Sequence, residues 1–237
     1  MRTRVAVVGG GESCEHEVSI ASAAAIAAAL DRDRYDVVAL TIDPEGGWRD
    51  SAARALGLAR AVAVICTCDV VIPAIHGPRG EDGTVAALCD LAHRPYVGSG
   101  LTAGAVAMDK WLTKLVANAA GIATAPAELL DRGNAATYRW TRPVVVKPVA
   151  AGSSHGVALV DDPAGLQGAL AAAFALDDQV LVENLVEGRE IDVAVLGRPD
   201  GGRLIAPMLE IVVPGIFGLD TKYNGKADFR VPAALDD

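Results

Sequence analysis

An α/β fold is predicted, doubly wound in its first part, from three features of the 237-residue sequence. An apolar strand from Arg4 runs into Gly9-Gly-Gly11, and an alanine-rich helical run follows to Leu30. Strand-like and helix-like runs then alternate, the second and third strands being Tyr35–Asp43 and Asp69–His76. Near the end the pattern changes to closely spaced strands, Ile191–Leu196 and Leu204–Val213, which reads as an antiparallel α+β region.

The first strand, its glycine turn and the helix start form half of a doubly wound unit, where ligands gather. The dinucleotide pattern G-x-G-x-x-G is not met, because Cys14 stands where its last glycine would fall. Glu15 and Glu17 follow the turn. Acids in a first helical turn complement the helix dipole, and that accounts for one of them. Two, with His16 between, leave room for a substrate ammonium. The segment to Ala61 is poorly defined, with one short helix. Asp69–His76 ends in His76-Gly-Pro-Arg-Gly-Glu-Asp-Gly83, ahead of a helix over Thr84–Ala92. That places His76 at the end of a parallel strand, as a capping residue or a functional one.

Tyr96-Val-Gly-Ser-Gly100 closes a first domain, residues 1–100. One helical run from Leu101 to about Ala120 carries Asp109-Lys110. After a short strand, residues 131–142 are polar linker or helix. The next stretch organises the chain. Val144–Val146 is a β-branched run that delivers Lys147, and Pro148 ends its pairing. Gly152-Ser-Ser-His-Gly156 turns into a second strand, Val157–Val160. A loop with exposed N–H groups and two hydroxyls over a lysine suits a polyphosphate, although a plain glycine-rich hairpin has the same composition. A helix from Asp162 to about Leu176 and the strand Gln179–Glu183 complete a block of lid size, residues 101–182. Residues 183–237 begin a further domain whose antiparallel strands are left unfinished.

Composition limits the partners. Half the residues are apolar and 22% are charged, the balance of a globular chain. A net charge of −9 argues against nucleic acid. The absence of an apolar run of membrane length, with a strand at the N-terminus in place of a signal peptide, argues for no membrane partner and a cytoplasmic location. The four cysteines lack metal or disulfide spacing, and Cys66-Thr-Cys68 reads as one face of a buried strand. Of 21 cationic residues only Lys110, Lys114, Lys147, Lys222 and Lys226 are lysines. Arginine serves wherever any positive charge will do, so each lysine counts as a chosen compact ammonium.

Taken in order, Ser13-Cys-Glu-His-Glu-Val-Ser19, His76-Gly-Pro-Arg-Gly-Glu-Asp-Gly-Thr84, Tyr96-Val-Gly-Ser-Gly100, Met108-Asp-Lys110, Val146-Lys-Pro148 with Gly152–Gly156, Glu183–Glu190 and Lys222-Tyr223 resemble the D-alanine–D-alanine ligases of the ATP-grasp superfamily. The resemblance implies a Rossmann-like substrate domain, an ATP-grasp lid and part of a C-terminal ATP-grasp domain. It implies two-step ligation for peptidoglycan precursors: ATP phosphorylates one D-alanine, and the amine of a second attacks the acyl phosphate. It places Lys110, Lys147 and Lys222 on ATP phosphates, with Ser153 and Ser154 in the loop over them. Adenine would lie against the Glu183–Val186 hinge, and Glu190 would hold the ribose. Glu15 would bind the first D-alanine's ammonium, with His76 near its carboxylate. Ser153 and Tyr223 would join Glu15 in closing the loop and orienting the second amine.

The sequence also departs from the family pattern. His155 replaces a small apolar residue and Gly218-Leu-Asp-Thr precedes Lys222, which bears on the choice of second substrate. Tyr223 leans toward D-alanine over D-lactate as acceptor. The carboxylates that hold Mg²⁺ in the family are expected downstream of residue 237, so no metal site is assigned within this chain. Two other readings stand beside the ligase: a short non-catalytic nucleotide or D-amino-acid binder, and a ligase making a different dipeptide or depsipeptide. A homodimer is left open by the resemblance.

Overall fold

The computed structural model describes residues 1–198, 200–213, 215, 218, 221–222 and 227–235. Packing divides the chain into two units, Met1–Thr124 with Pro148–Gly152, and Ala125–Lys147 with Ser153–Asp237.

In the first unit β1 (Thr3–Gly10) lies between β2 (Tyr35–Ile42) and β4 (Val70–Pro73), parallel to both, and β3 (Trp48–Asp50) pairs antiparallel on the outer edge of β2. Val5 to Gly10 are all buried, the unbroken apolar run that a central parallel strand requires. β1 connects to β2 on one side, and the chain returns as β4 on the other. The crevice at the carboxyl end of β1 is therefore a topological switch point. Helices α1 (His16–Ala29), α2 (Leu58–Ile65) and α3 (Thr84–Leu91) accompany this sheet, whose core gathers Val8, Leu40, Trp48, Ile65, Val71, Val85 and Cys89.

The undefined stretch to Ala61 holds β3 and the start of the expected short helix, α2. Three expectations for this unit need correction. Cys66 and Cys68 do not lie on a strand: Ala61 and Ile65, one helical turn apart and fully buried, make Leu58–Ile65 a helix. Cys66 follows it, exposed, and Cys68 is buried. β4 stops at Pro73, so His76 stands three residues beyond the strand on a loop. The single helix expected from Leu101 is two, α4 (Leu101–Met108) and α5 (Lys110–Ala119). Asp109 breaks it, because its extended backbone lets the carboxylate accept the Leu112 N–H at 2.8 Å as an N-cap.

The second unit holds a sheet in the order β5 (Ala127–Asp131), β8 (Gln179–Asn184), β6 (Val144–Pro148), β7 (Ala158–Val160). β6 and β7 form the expected antiparallel hairpin, with Val144 opposite Val160. Side chains alternate across a strand. Val144 and Val146 of β6, with Val180 and Val182 of β8, therefore pack with Leu166, Leu170 and Ala173 of α6 (Leu166–Phe174). Val145 and Lys147, and Leu181 and Glu183, take the opposite face. Beyond Asp131, the last residue of β5, the stretch to 142 forms turns and one turn of 3₁₀ helix, Ala135–Thr137.

Beyond β8 the expected strands are shorter and divided. Ile191–Leu196 splits into β9 (Glu190–Asp192) and β10 (Val195–Gly197), and Leu204–Val213 into β11 (Arg203–Ile205) and β12 (Leu209–Val212). β10 and β11 make a two-stranded hairpin, turned where Arg198 donates its N–H to the Gly202 carbonyl at 2.9 Å. β12 pairs with β9 and with β13 (Asp228–Arg230). Each run serves two ladders, and apolar alternation alone cannot mark the change. Among the described residues no helix is long and apolar enough to cross a membrane.

Candidate active site

Glu15 directly precedes α1 at the switch point of the first unit and is only 3% exposed. Glycines make its seat. A β-carbon on Gly152 would stand 2.4 Å from a Glu15 carboxylate oxygen, and one on Gly77, whose φ is +77°, would stand 2.7 Å away. Only residues without a side chain allow the carboxylate to sit there. Two serines tie this corner to the loop after β4. Ser13 Oγ accepts the Glu15 N–H at 3.2 Å and donates to the His76 carbonyl at 2.9 Å. Ser19 Oγ donates to the Glu15 carbonyl at 3.0 Å and accepts the His76 N–H at 2.9 Å. Glu15 and His76, linked in the sequence only by expectation, are thus cross-linked through their backbones.

The imidazole of His76 is held as well. Its Nε2 lies 3.0 Å from Ser22 Oγ, and its Nδ1 lies 3.8 Å from a Glu81 carboxylate oxygen. The other Glu81 oxygen accepts the Gly77 N–H at 2.7 Å. Sequence reading missed Ser19, Ser22 and Glu81 as individual contributors. The available signal was two hydroxyls spaced i, i+3 in a helix otherwise filled with alanine, which places both on one face. At Cys14, exposed beside Glu15, partial desolvation pushes the thiol above its ordinary value and the Glu15 charge adds to that, which disfavours the thiolate.

Lys110 opens α5. Its ammonium donates to the carbonyls of Val149 and Ala151, at 3.0 and 2.6 Å. Backbone that belongs to the first unit therefore anchors this lysine directly after β6. A partly open pocket of about 360 Å³ lies in the same unit, between the β4–α3 loop, Tyr96–Ser99 and α4, with His76 and Glu81 in its wall.

In the second unit Lys147 and Glu183 form an ion pair on the sheet face turned away from α6, both side chains largely buried. Adjacent strands bring them together, β6 beside β8. After β8 the chain runs through Leu185, whose N–H reaches the Pro143 carbonyl, to an exposed Val186. The loop that follows Lys147 is strained. Ser153 and Ser154 carry φ of +47° and +61°, a left-handed pair that costs energy in residues other than glycine. Glu190 is exposed at the start of β9. Desolvation pushes its carboxyl above the usual range, Asp192 adds to this, and the nearby Lys222 ammonium opposes it. Two further residues expected at the nucleotide thus act on one another. Tyr223 lies outside the described residues.

The first unit offers a buried carboxylate and a fixed imidazole, a pair suited to a small zwitterion. The second offers a lysine and a strained hydroxyl-bearing loop, with an exposed segment after β8. Among the described residues no group of three or more His, Cys, Asp or Glu could hold a metal ion.

The family model described as "D-ala D-ala ligase C-terminus" matches residues 116–237, and "D-ala D-ala ligase N-terminus" matches 4–64 and 51–99. The D-alanine–D-alanine ligase of Nocardia farcinica is 39% identical, over all of this chain and 77% of its own length. That alignment spans 279 positions against 237 residues, so the relative carries internal residues that this chain lacks. The Mycobacterium leprae ligase is 37% identical over all of the chain and 75% of its length. Among solved structures, the D-Ala:D-Ser ligase of Enterococcus faecalis matches with a TM-score of 0.78 and 28% identity, covering 100% of this chain and 78% of its own. The Coxiella burnetii D-alanine–D-alanine ligase matches with a TM-score of 0.73 and 32% identity, covering 89% and 71%. With both parts of the family model matched in order and relatives this similar along the whole chain, the protein belongs to the D-alanine–D-alanine ligase family of ATP-dependent, ATP-grasp enzymes.

Proposed function

We propose that this chain carries the ligation of two D-alanines to D-alanyl-D-alanine, with ATP as the second substrate, in the cytoplasm. The observation that carries this reading is Glu15, a carboxylate buried between Gly77 and Gly152 and cross-linked through Ser13 and Ser19 to His76. A buried carboxylate favours a cationic partner, and a D-alanine ammonium fits that need while its carboxylate lies toward His76. In the first step a carboxylate oxygen of that D-alanine attacks the γ-phosphorus of ATP, and the bond to ADP breaks. In the second step the neutral amine of another D-alanine attacks the acyl carbon; inorganic phosphate leaves and the amine loses a proton.

The protein's part in both steps is positioning and charge neutralisation, with no covalent intermediate on a side chain. Lys147 and Lys222 would face phosphates, with Lys110 at the start of α5 a third cation. The Glu183–Val186 segment would receive adenine, and Glu190 the ribose. Ser153, Ser154 and Tyr223 would belong to the loop that excludes water, which an acyl phosphate requires. Residues 1–100, 101–182 and 183–237 would act as substrate domain, lid and start of the nucleotide domain. The described residues offer no donor set for Mg²⁺, so no step is assigned to it. The acceptor has a second reading. His155 and Gly218 depart from the family pattern, and the Enterococcus faecalis structural relative is named as a D-Ala:D-Ser ligase.

Glu15→Gln keeps the shape and removes the charge, a contact worth roughly 2 to 5 kcal/mol if desolvated. D-Alanine affinity, measured by calorimetry, should fall steeply while ATP affinity holds. Equal effects on both ligands, or none, would reduce Glu15 to an acid at a helix terminus.

A further inference from the structure

Three parts of the first unit meet at Gly11. Its N–H donates to the Ile42 carbonyl, at the end of β2, at 2.8 Å. A β-carbon on it would stand 2.9 Å from the side chain of Ile75, the residue before His76. Its carbonyl oxygen lies 2.7 Å from Nδ1 of His16, the first residue of α1. A carbonyl oxygen only accepts, so the proton in this contact belongs to Nδ1. Neutral His16 is thereby fixed as its Nδ1–H tautomer.

The contact closes a ring. The chain leaves β1 through Gly11, whose φ is +114°, and the His16 side chain brings the start of α1 back to it. Inside the ring the His16 N–H reaches the Ser13 carbonyl at 3.1 Å, and Ser13 Oγ accepts the Glu15 N–H at 3.2 Å. A helix start is ordinarily secured by the side chain of its N-cap residue. Here that residue is Glu15, which makes no such bond and turns its carboxylate to Gly77 and Gly152 instead. With the capping side chain given to the site, the half-buried imidazole one residue later ties the helix down.

We propose that His16 is a positioning residue for the first D-alanine: its Nδ1–H, donated to the Gly11 carbonyl, ties the start of α1 to the end of β1 and so fixes the direction of the Glu15 carboxylate. This rests on Glu15 as the seat of the substrate ammonium. The plainer alternative is a tie that stabilises α1 and nothing more.

The test uses the whole chain labelled with ¹⁵N-histidine, whose nitrogen–proton couplings report the tautomer, with the His16 signals assigned by their loss in His16→Asn. At about pH 8.5, above the ordinary imidazole range, His16 should show the Nδ1–H form. Calorimetry reads the role. His16→Gln, whose amide reaches out to the level of Nε2, should weaken D-alanine roughly three- to tenfold, the cost of one net hydrogen bond. His16→Asn, whose amide nitrogen can take the place of Nδ1, should recover most of that. D-Alaninol, which keeps the ammonium, should follow D-alanine, while ATP affinity holds. In a Glu15→Gln background His16→Gln should cost D-alanine nothing further, because the charge being positioned is gone. An Nε2–H tautomer overturns the proposal, as does a His16→Asn protein that binds no better than His16→Gln. Equal losses with and without the Glu15 charge overturn it too, by making the tie merely structural. If Glu15→Gln alone leaves D-alanine affinity unchanged, the proposal falls with the substrate placement, and the tautomer then shows that the tie itself was read correctly.

Discussion

Lys147 shows how a single residue can be read twice. As one of five lysines in an arginine-rich cation set, it marks a place where a compact ammonium is wanted. Here it pairs with Glu183, and both side chains are more than three-quarters buried. Breaking such a pair from one side leaves the other charge without its partner. Lys147→Ala should therefore cost stability and also lower ATP affinity, roughly 10- to 100-fold for lost hydrogen bonds to charge. Lys147→Arg should keep some pairing with Glu183 and still harm ATP binding, because a planar fork does not replace a point charge. Calorimetry with ATP, beside thermal melts, separates the two effects. Unchanged ATP affinity in both variants would remove Lys147 from the nucleotide site.

Asp109 acts on the scale of an element. It divides one apolar helical run into α4 and α5, and its cap sets where Lys110 leaves the backbone. The Lys110 ammonium then meets two carbonyls just past β6, a contact that depends on where α5 begins. Replacing Asp109 with Ala should destabilise the first unit by about 1 kcal/mol, the usual cost of an N-cap. Asp109→Asn should recover most of that, since its amide oxygen can still accept the Leu112 N–H. Chemical denaturation followed by far-UV circular dichroism checks both. Equal stability of all three proteins would show that tertiary packing, and not the cap, positions α5.

The whole molecule is uneven. The first unit buries a continuous core around β1, whereas the described residues after β8 expose Val193, Val195, Leu196, Ile205, Phe229 and Val231. Exposed apolar strands of this kind are ready to pair with other chains. Residues 1–237 on their own should accordingly self-associate, read as light scattering that rises with protein concentration; a monodisperse monomer at high concentration would show that these strands are no pairing edge.

Sequence alone determined the doubly wound start, the β6–β7 hairpin with Lys147 at its strand end, and the family. These are local facts: apolar periods, glycine turns and residue types at short spacing survive in one dimension. It went wrong at Cys66, Asp109 and Ile191–Leu196, where a helix end, a cap or a change of sheet partner overrides a continuous apolar pattern. Only the tertiary structure decided that Ser13 and Ser19 join Glu15 to His76, that Ser22 and Glu81 lie beside the two ring nitrogens, and that Lys147 meets Glu183. The serines reach His76 from more than fifty positions away, Glu81 reaches it from five along the same loop, and Lys147 meets Glu183 across neighbouring strands separated in the chain by β7 and α6. Such contacts follow from strand order, and no periodicity in the chain records which strands will become neighbours.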